Sequence, residues 1–119
     1  MTEQSRLAPF ILDEADAIQT SHCLMLFDGD MEQVEDVFEE HNVEGNGHGW
    51  EGLAQSLVHS LMPELADRLD FGSESGTFVV TSTDLTALQQ LGDVLRDAFH
   101  DRDLLARHIQ VADPLFLPR

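Results

Sequence analysis

Between Asp28 and Glu44 the chain carries Asp28, Asp30, Glu32, Glu35, Asp36, Glu39, Glu40 and Glu44, with no Lys or Arg among them. Carboxylates at this density can hold a cation, trade protons as an acid–base pair, or meet a positively charged surface. No one pair stands out as donor and acceptor, so proton transfer has no candidate residues. At helical spacing, each like-charged pair costs roughly a few tenths of a kcal/mol, and a merely solvated face usually mixes its signs. An uncompensated run therefore suits a partner that supplies the positive charge, drawn in by steering that salt weakens. The competing explanation is plain solubility, or adaptation to high salt, through like-sign repulsion between molecules.

His41, Glu44 and His48 lie close together in the sequence and give the alternative reading, a small metal- or ligand-binding protein. Their spacing matches no zinc signature, and a single cysteine, Cys23, leaves no thiolate set. Asp28-Gly29-Asp30 lacks the rest of a calcium loop. No metal site and no cofactor is expected. His59, His100 and His108 read as surface residues. The stretch Gly45-Asn46-Gly47-His48-Gly49-Trp50 places three glycines at alternate positions, where they permit backbone angles closed to other residues. A phosphate cradle is disfavoured, because the loop follows a helix rather than a strand and no Lys or Arg lies between Arg6 and Arg68. A tight turn that lets Trp50 tuck against a sheet is the simpler role. Cys23 sits in an apolar run, where a thiol acts as a small hydrophobe, and no G-x-S-x-G turn is present. The chain is not expected to be an enzyme.

The whole composition points the same way. In 119 residues there are 23 Asp and Glu against 6 Arg and no Lys, for a formal net charge of −17. Such a surface repels nucleic acid and anionic lipid, whose binding depends on basic residues, so neither is an expected partner. One cysteine excludes an internal disulfide. The N-terminus lacks a signal-peptide layout and no apolar run is long enough to span a bilayer, so a cytoplasmic location is expected. With 42% hydrophobic residues and no linker or repeat, residues 1–119 read as a single domain.

The elements that would position these residues follow from period and punctuation. Ala8–Leu12 and Ser21–Phe27 read as strands, the second closed by a turn signal at Asp28-Gly29-Asp30. From Met31 the period becomes helical, with Met31, Val34, Val37 and Phe38 on one side and acids on the other; Asp28 or Asp30 could cap it. Glu39 and Glu40 oppose the dipole at its C-terminal end, a local conflict that hints at another purpose. A second helix begins near Trp50 and carries Trp50, Leu53, Ala54, Leu57 and Leu61, with a further turn after Pro63. Leu69–Phe71 and Gly76–Ser82 form a hairpin. The last helix, capped by Thr83 or Asp84, presents Leu85, Leu88, Leu91, Leu95 and Phe99 and resumes through Leu104, Leu105 and Ile109. The order β-β-α-α-β-β-α predicts an α+β fold, an antiparallel sheet of about four or more strands with helices on one face. The tail Leu115-Phe116-Leu117 packs on that sheet or else supports self-association.

The segment Phe38-Glu39-Glu40-His41, followed by Glu44-Gly45-Asn46-Gly47-His48-Gly49-Trp50-Glu51, resembles the signature of the immunity protein 51 family of bacterial polymorphic toxin systems. The hairpin Leu69-Asp70-Phe71-Gly72-Ser73-Glu74-Ser75-Gly76-Thr77-Phe78 is similar too, and the resemblance runs over roughly Phe38 to Leu95. It implies a small non-catalytic protein that binds and neutralises a cognate toxin; the chain itself is expected to be a monomer or homodimer. Many such toxins are nucleases with basic sites, against which carboxylates can stand where phosphates would lie. Glu35, Asp36, Glu39, Glu40 and Glu44, with Asn46 and His48 of the adjoining loop, are the expected contact residues.

Overall fold

The computed structural model describes residues 7–117. Two strands open it, β1 (Ile11–Asp13) and β2 (His22–Phe27), joined by a loop in which the Asp16 carboxylate accepts from the N–H groups of Ile18 and Gln19, both at 2.8 Å. Those two bonds, that from Gln19 first, hold the Asp16 pKa below the usual carboxylate value. Next come α1 (Asp28–Met31), a 3-10 turn (Glu32–Val34) and α2 (Glu35–Glu39), then the long helix α3 (Gly47–Leu61) and a 3-10 segment (Pro63–Arg68). A hairpin, β3 (Asp70–Phe71) and β4 (Thr77–Ser82), precedes α4 (Leu85–His100) and α5 (Arg102–Val111). The sheet is antiparallel throughout, in the order β1-β2-β4-β3. The α+β prediction is correct.

Alternation along the strands decides which face is covered. Leu12, Leu24, Leu26, Phe78 and Val80 are buried, while their neighbours Ile11, Met25 and Val79, aligned across three strands, are at most partly covered. The helices lie on the buried side. Trp50 is 0% exposed and packs edge-on to Phe10 at 5.6 Å and against Phe38 at 5.2 Å between ring centroids. Its indole Nε1–H has no hydrogen-bond partner among the described residues. Three helices begin at a side-chain cap: Asn46 accepts from Gly49 N–H, Asp84 from Ala87 N–H and Asp101 from Leu104 N–H. Asp101 also breaks the last helical stretch in two.

Several local expectations are corrected. The acidic helix starts at Asp28, straight out of β2, and is divided by a 3-10 turn; Phe27 occupies the cap position, and neither Asp28 nor Asp30 caps it. Asp30 takes the Gln33 amide instead, at 3.3 Å. α3 begins at Gly47 rather than near Trp50. The tail packs on α3, not on the sheet: Asp113 N–H donates to Ser56 Oγ at 3.0 Å, and Phe116 lies 6.0 Å from the His59 ring.

Candidate partner-binding site

Asp28, Glu32, Glu35 and Glu39 follow one another at intervals of four, three and four residues. That spacing returns to the same side of a helix, and it survives the 3-10 interruption because Met31, Val34, Val37 and Phe38 keep the opposite side buried. The result is a wall of carboxylates. Facing it is the loop from Asn42 to Asn46, which turns back through Asn42 at φ 61°, the left-handed region that asparagine tolerates better than most residues. None of the described glycines adopts a positive φ, so the expectation that the glycines supply unusual backbone angles is wrong.

They supply close approach instead. Gly47 N–H donates to the Ser75 carbonyl at 2.9 Å, clamping the start of α3 onto the β3–β4 hairpin. A Cβ at Gly47 would collide with the Glu74 carbonyl oxygen and come within 2.6 Å of that of Thr77. At Gly49 it would strike the Glu44 carbonyl group. The loop is thus held by backbone contacts that leave no room for a side chain.

Between wall and loop runs a trough. One cleft of about 380 Å³ is lined by Glu35, Glu39, Asn42, Glu44 and Asn46, among others, and a second of about 200 Å³ by Asp28, Glu32, Glu35 and Asn46. The two clefts share Glu35, Gly45 and Asn46, and no Arg or His lines either. Five carboxylates therefore face one continuous concavity without a cationic neighbour in its lining.

Of the residues expected to contact a partner, Glu35, Glu39, Glu44 and Asn46 come together here. Asn46 is also structural, since its side-chain oxygen caps α3 while its amide donates to Glu44 Oε2 at 2.8 Å. Asp36 and Glu40 stand one position further along than Glu35 and Glu39, rotated about 100° around the helix. Asp36 forms an ion pair with Arg102, whose other guanidinium nitrogen donates to the Gln33 carbonyl at 3.3 Å, so it ties α5 to the acidic segment. Glu40 and His48 are exposed and line neither cleft. Asp28 and Glu32 were not among the expected contacts, though the four-three-four spacing was there to find them.

His41, Glu44 and His48 do not form a metal site. His41 Nδ1 lies 3.0 Å from the Val37 carbonyl, to which it can donate, and Glu44 is held by Asn46. Among the described residues no three His, Cys, Asp or Glu side chains converge as metal ligands. Cys23 lies on the uncovered side of β2, where burial first and the cross-strand Asp13 charge second push its thiol pKa up, away from the reactive thiolate. No helix among the described residues is long and apolar enough to cross a membrane.

No curated protein and no solved structure matches the chain. The profile of one protein family does, over residues 10–114, well beyond the stretch that carried the resemblance. With this match across most of its length, the chain belongs to the Immunity protein 51 family.

Proposed function

We propose that the chain is a non-catalytic inhibitor in the cytoplasm that neutralises a cognate toxin by seating a basic surface of it in the trough between α1–α2 and the Asn42–Asn46 loop. The observation that carries this reading is the five carboxylates, Asp28, Glu32, Glu35, Glu39 and Glu44, lining that concavity with no arginine among them. Family membership supports a toxin as the partner. The charge supports a cationic one, and a nuclease toxin fits best, because its own site must attract phosphate and so offers positive potential to these carboxylates. Burial against the trough costs the carboxylates their water, so Arg side chains, which pair bidentately with carboxylates, are the partner groups that return most.

The test is co-expression with the toxin domain encoded beside the chain's own gene. Growth is restored by the parent chain, and replacing Glu35, Glu39 and Glu44 together by Gln reduces both protection and the salt dependence of binding. A parent chain that leaves the toxin lethal overturns the inhibitor reading. A triple variant that protects and binds as the parent does, at every salt concentration, overturns the trough as its site.

A further inference from the structure

The side of the sheet turned away from the helices is apolar along its middle. Ile11, Met25 and Val79 stand in one cross-strand row, and Phe27 stands in the next, beside Thr77. Ile11 is 39% and Phe27 42% exposed. An antiparallel sheet with one wet face normally carries polar residues there, so large apolar side chains at these positions mark a surface made to be covered. Gly72 continues the row on the β3 side, its N–H donating to the Val79 carbonyl at 3.0 Å.

Charge says what covers this face. It ends in Asp13 and Asp70, in the row of Cys23 and Thr81, and at its other end it meets Asp28, the residue after Phe27. No Lys or Arg lies in any of the four strands, and Arg68, two residues before β3, is paired with Asp84 at 2.9 Å. An apolar strip with carboxylates at both ends repels a second copy of this chain or an anionic lipid surface. It suits a protein whose apolar side chains are flanked by basic ones.

Continuity with the trough points to the same partner. Asp28 and Gly76 line its smaller cleft, and they are the chain neighbours of Phe27 and Thr77. The two clefts are lined by seven and eight residues, three of them common, whereas a stable interface takes about 20–30 residues a side. Interface cores are also poor in Asp and Glu and rich in Phe and Met, which the trough lacks in its carboxylates and the sheet face supplies.

We propose that the basic toxin domain seated in the trough extends across Phe27 and Thr77 onto the uncovered sheet face, laying apolar side chains on Ile11, Met25 and Val79. This deepens the trough reading and rests on it.

Cys23, the only cysteine and half-buried on this face, serves as the footprint. It lies four residues along β2 from Phe27, about 13 Å, so a partner confined to the trough leaves it open. The saturating toxin domain encoded beside the chain's own gene slows alkylation of Cys23 by N-ethylmaleimide about tenfold or more. Phe27→Ser and Gly72→Arg each speed dissociation of that complex at least about tenfold, and Phe27→Ser leaves the salt dependence of association as in the parent. Both keep the parent's circular dichroism and unfolding midpoint: Ser at position 27 can cap α1, and a Cβ at Gly72 meets nothing within 4 Å. A toxin domain that binds the parent but leaves Cys23 labelling unchanged overturns the sheet face and spares the trough. So does unchanged dissociation in both variants. Labelling that slows as the chain alone is concentrated gives the face to a second copy and overturns the proposal too. A toxin domain that does not bind the parent overturns the trough and the sheet face together.

Discussion

The two ends of α3 face opposite kinds of surface. At its N-terminal end, Asn46 and Gly47 join a trough lined by five carboxylates; at its C-terminal end, Val58 and His59 join a groove lined by none. One end is organised by backbone contact, through the Gly47–Ser75 hydrogen bond and the close packing of Gly49 on Glu44. At the other the tail is held as closely, with the Phe116 carbonyl packed on Gly52, Phe116 beside the His59 ring and Ser56 Oγ accepting from Asp113 N–H. Close backbone packing on glycines of α3 is common to both ends, so what distinguishes them is the charge of their linings. The contrast is one of charge: the acidic lining attracts cations at long range, and the apolar one does not.

The largest expected effect breaks the first end. Gly47→Ala gains helix propensity, but its Cβ meets two backbone carbonyls that belong to the hairpin and cannot rotate away. Overpacking of this kind costs about 3 kcal/mol, and the urea midpoint should fall accordingly. An unchanged midpoint would mean that the hairpin yields and the trough is less rigid than its contacts suggest. Next in size is the charge itself. Replacing Glu35, Glu39 and Glu44 by Gln should slow association with the cationic toxin domain by about tenfold or more, and it should raise stability slightly as like-charge repulsion is relieved. Stopped-flow association at low and high salt, set beside urea unfolding, separates the two effects. Loss of stability in this variant would show that the carboxylates support the fold rather than a partner.

Much of this contrast was legible in the sequence, and the part that was not has a common cause. The apolar runs of β2 and β4 and the stripe of α4 are local patterns, and each forms the element it predicts. The turn signal at Asp28-Gly29-Asp30 fails because burial of Met31 and Val34 draws the segment into helix directly after β2. The glycines were visible, but their reason, carbonyl oxygens of Glu44 and Glu74, depends on packing of the loop and the hairpin. Glu35 and Asp36 look alike side by side. What separates them is Arg102, 66 positions away from Asp36, and no local pattern announces that pairing.

That distinction gives a smaller test. Asp36→Asn removes an ion pair whose side chains are 52% and 59% exposed, so the loss of stability should stay near or below about 0.5 kcal/mol. Association with the toxin domain should keep its rate within a factor of about two, because one charge of a formal −17 changes while all five trough carboxylates remain. A tenfold slower association would move the binding surface around the helix to Asp36 and Glu40.

The smallest effect uses protons to check that neither end is being confused with the fold as a whole. His108 is half-buried on α5, and burial first and the neighbouring Arg107 charge second hold its pKa below the ordinary histidine value. The fold therefore favours the neutral ring. Its contribution is complete above the unfolded value near 6.5 and is lost as pH falls through the lower folded value. His108→Gln should leave stability near its parent value at pH 7.5 and exceed the parent at mildly acid pH, as urea midpoints across that range would reveal. Any acid-induced weakening of trough binding that this variant cures belongs to the scaffold. Weakening that persists in it belongs to the trough itself.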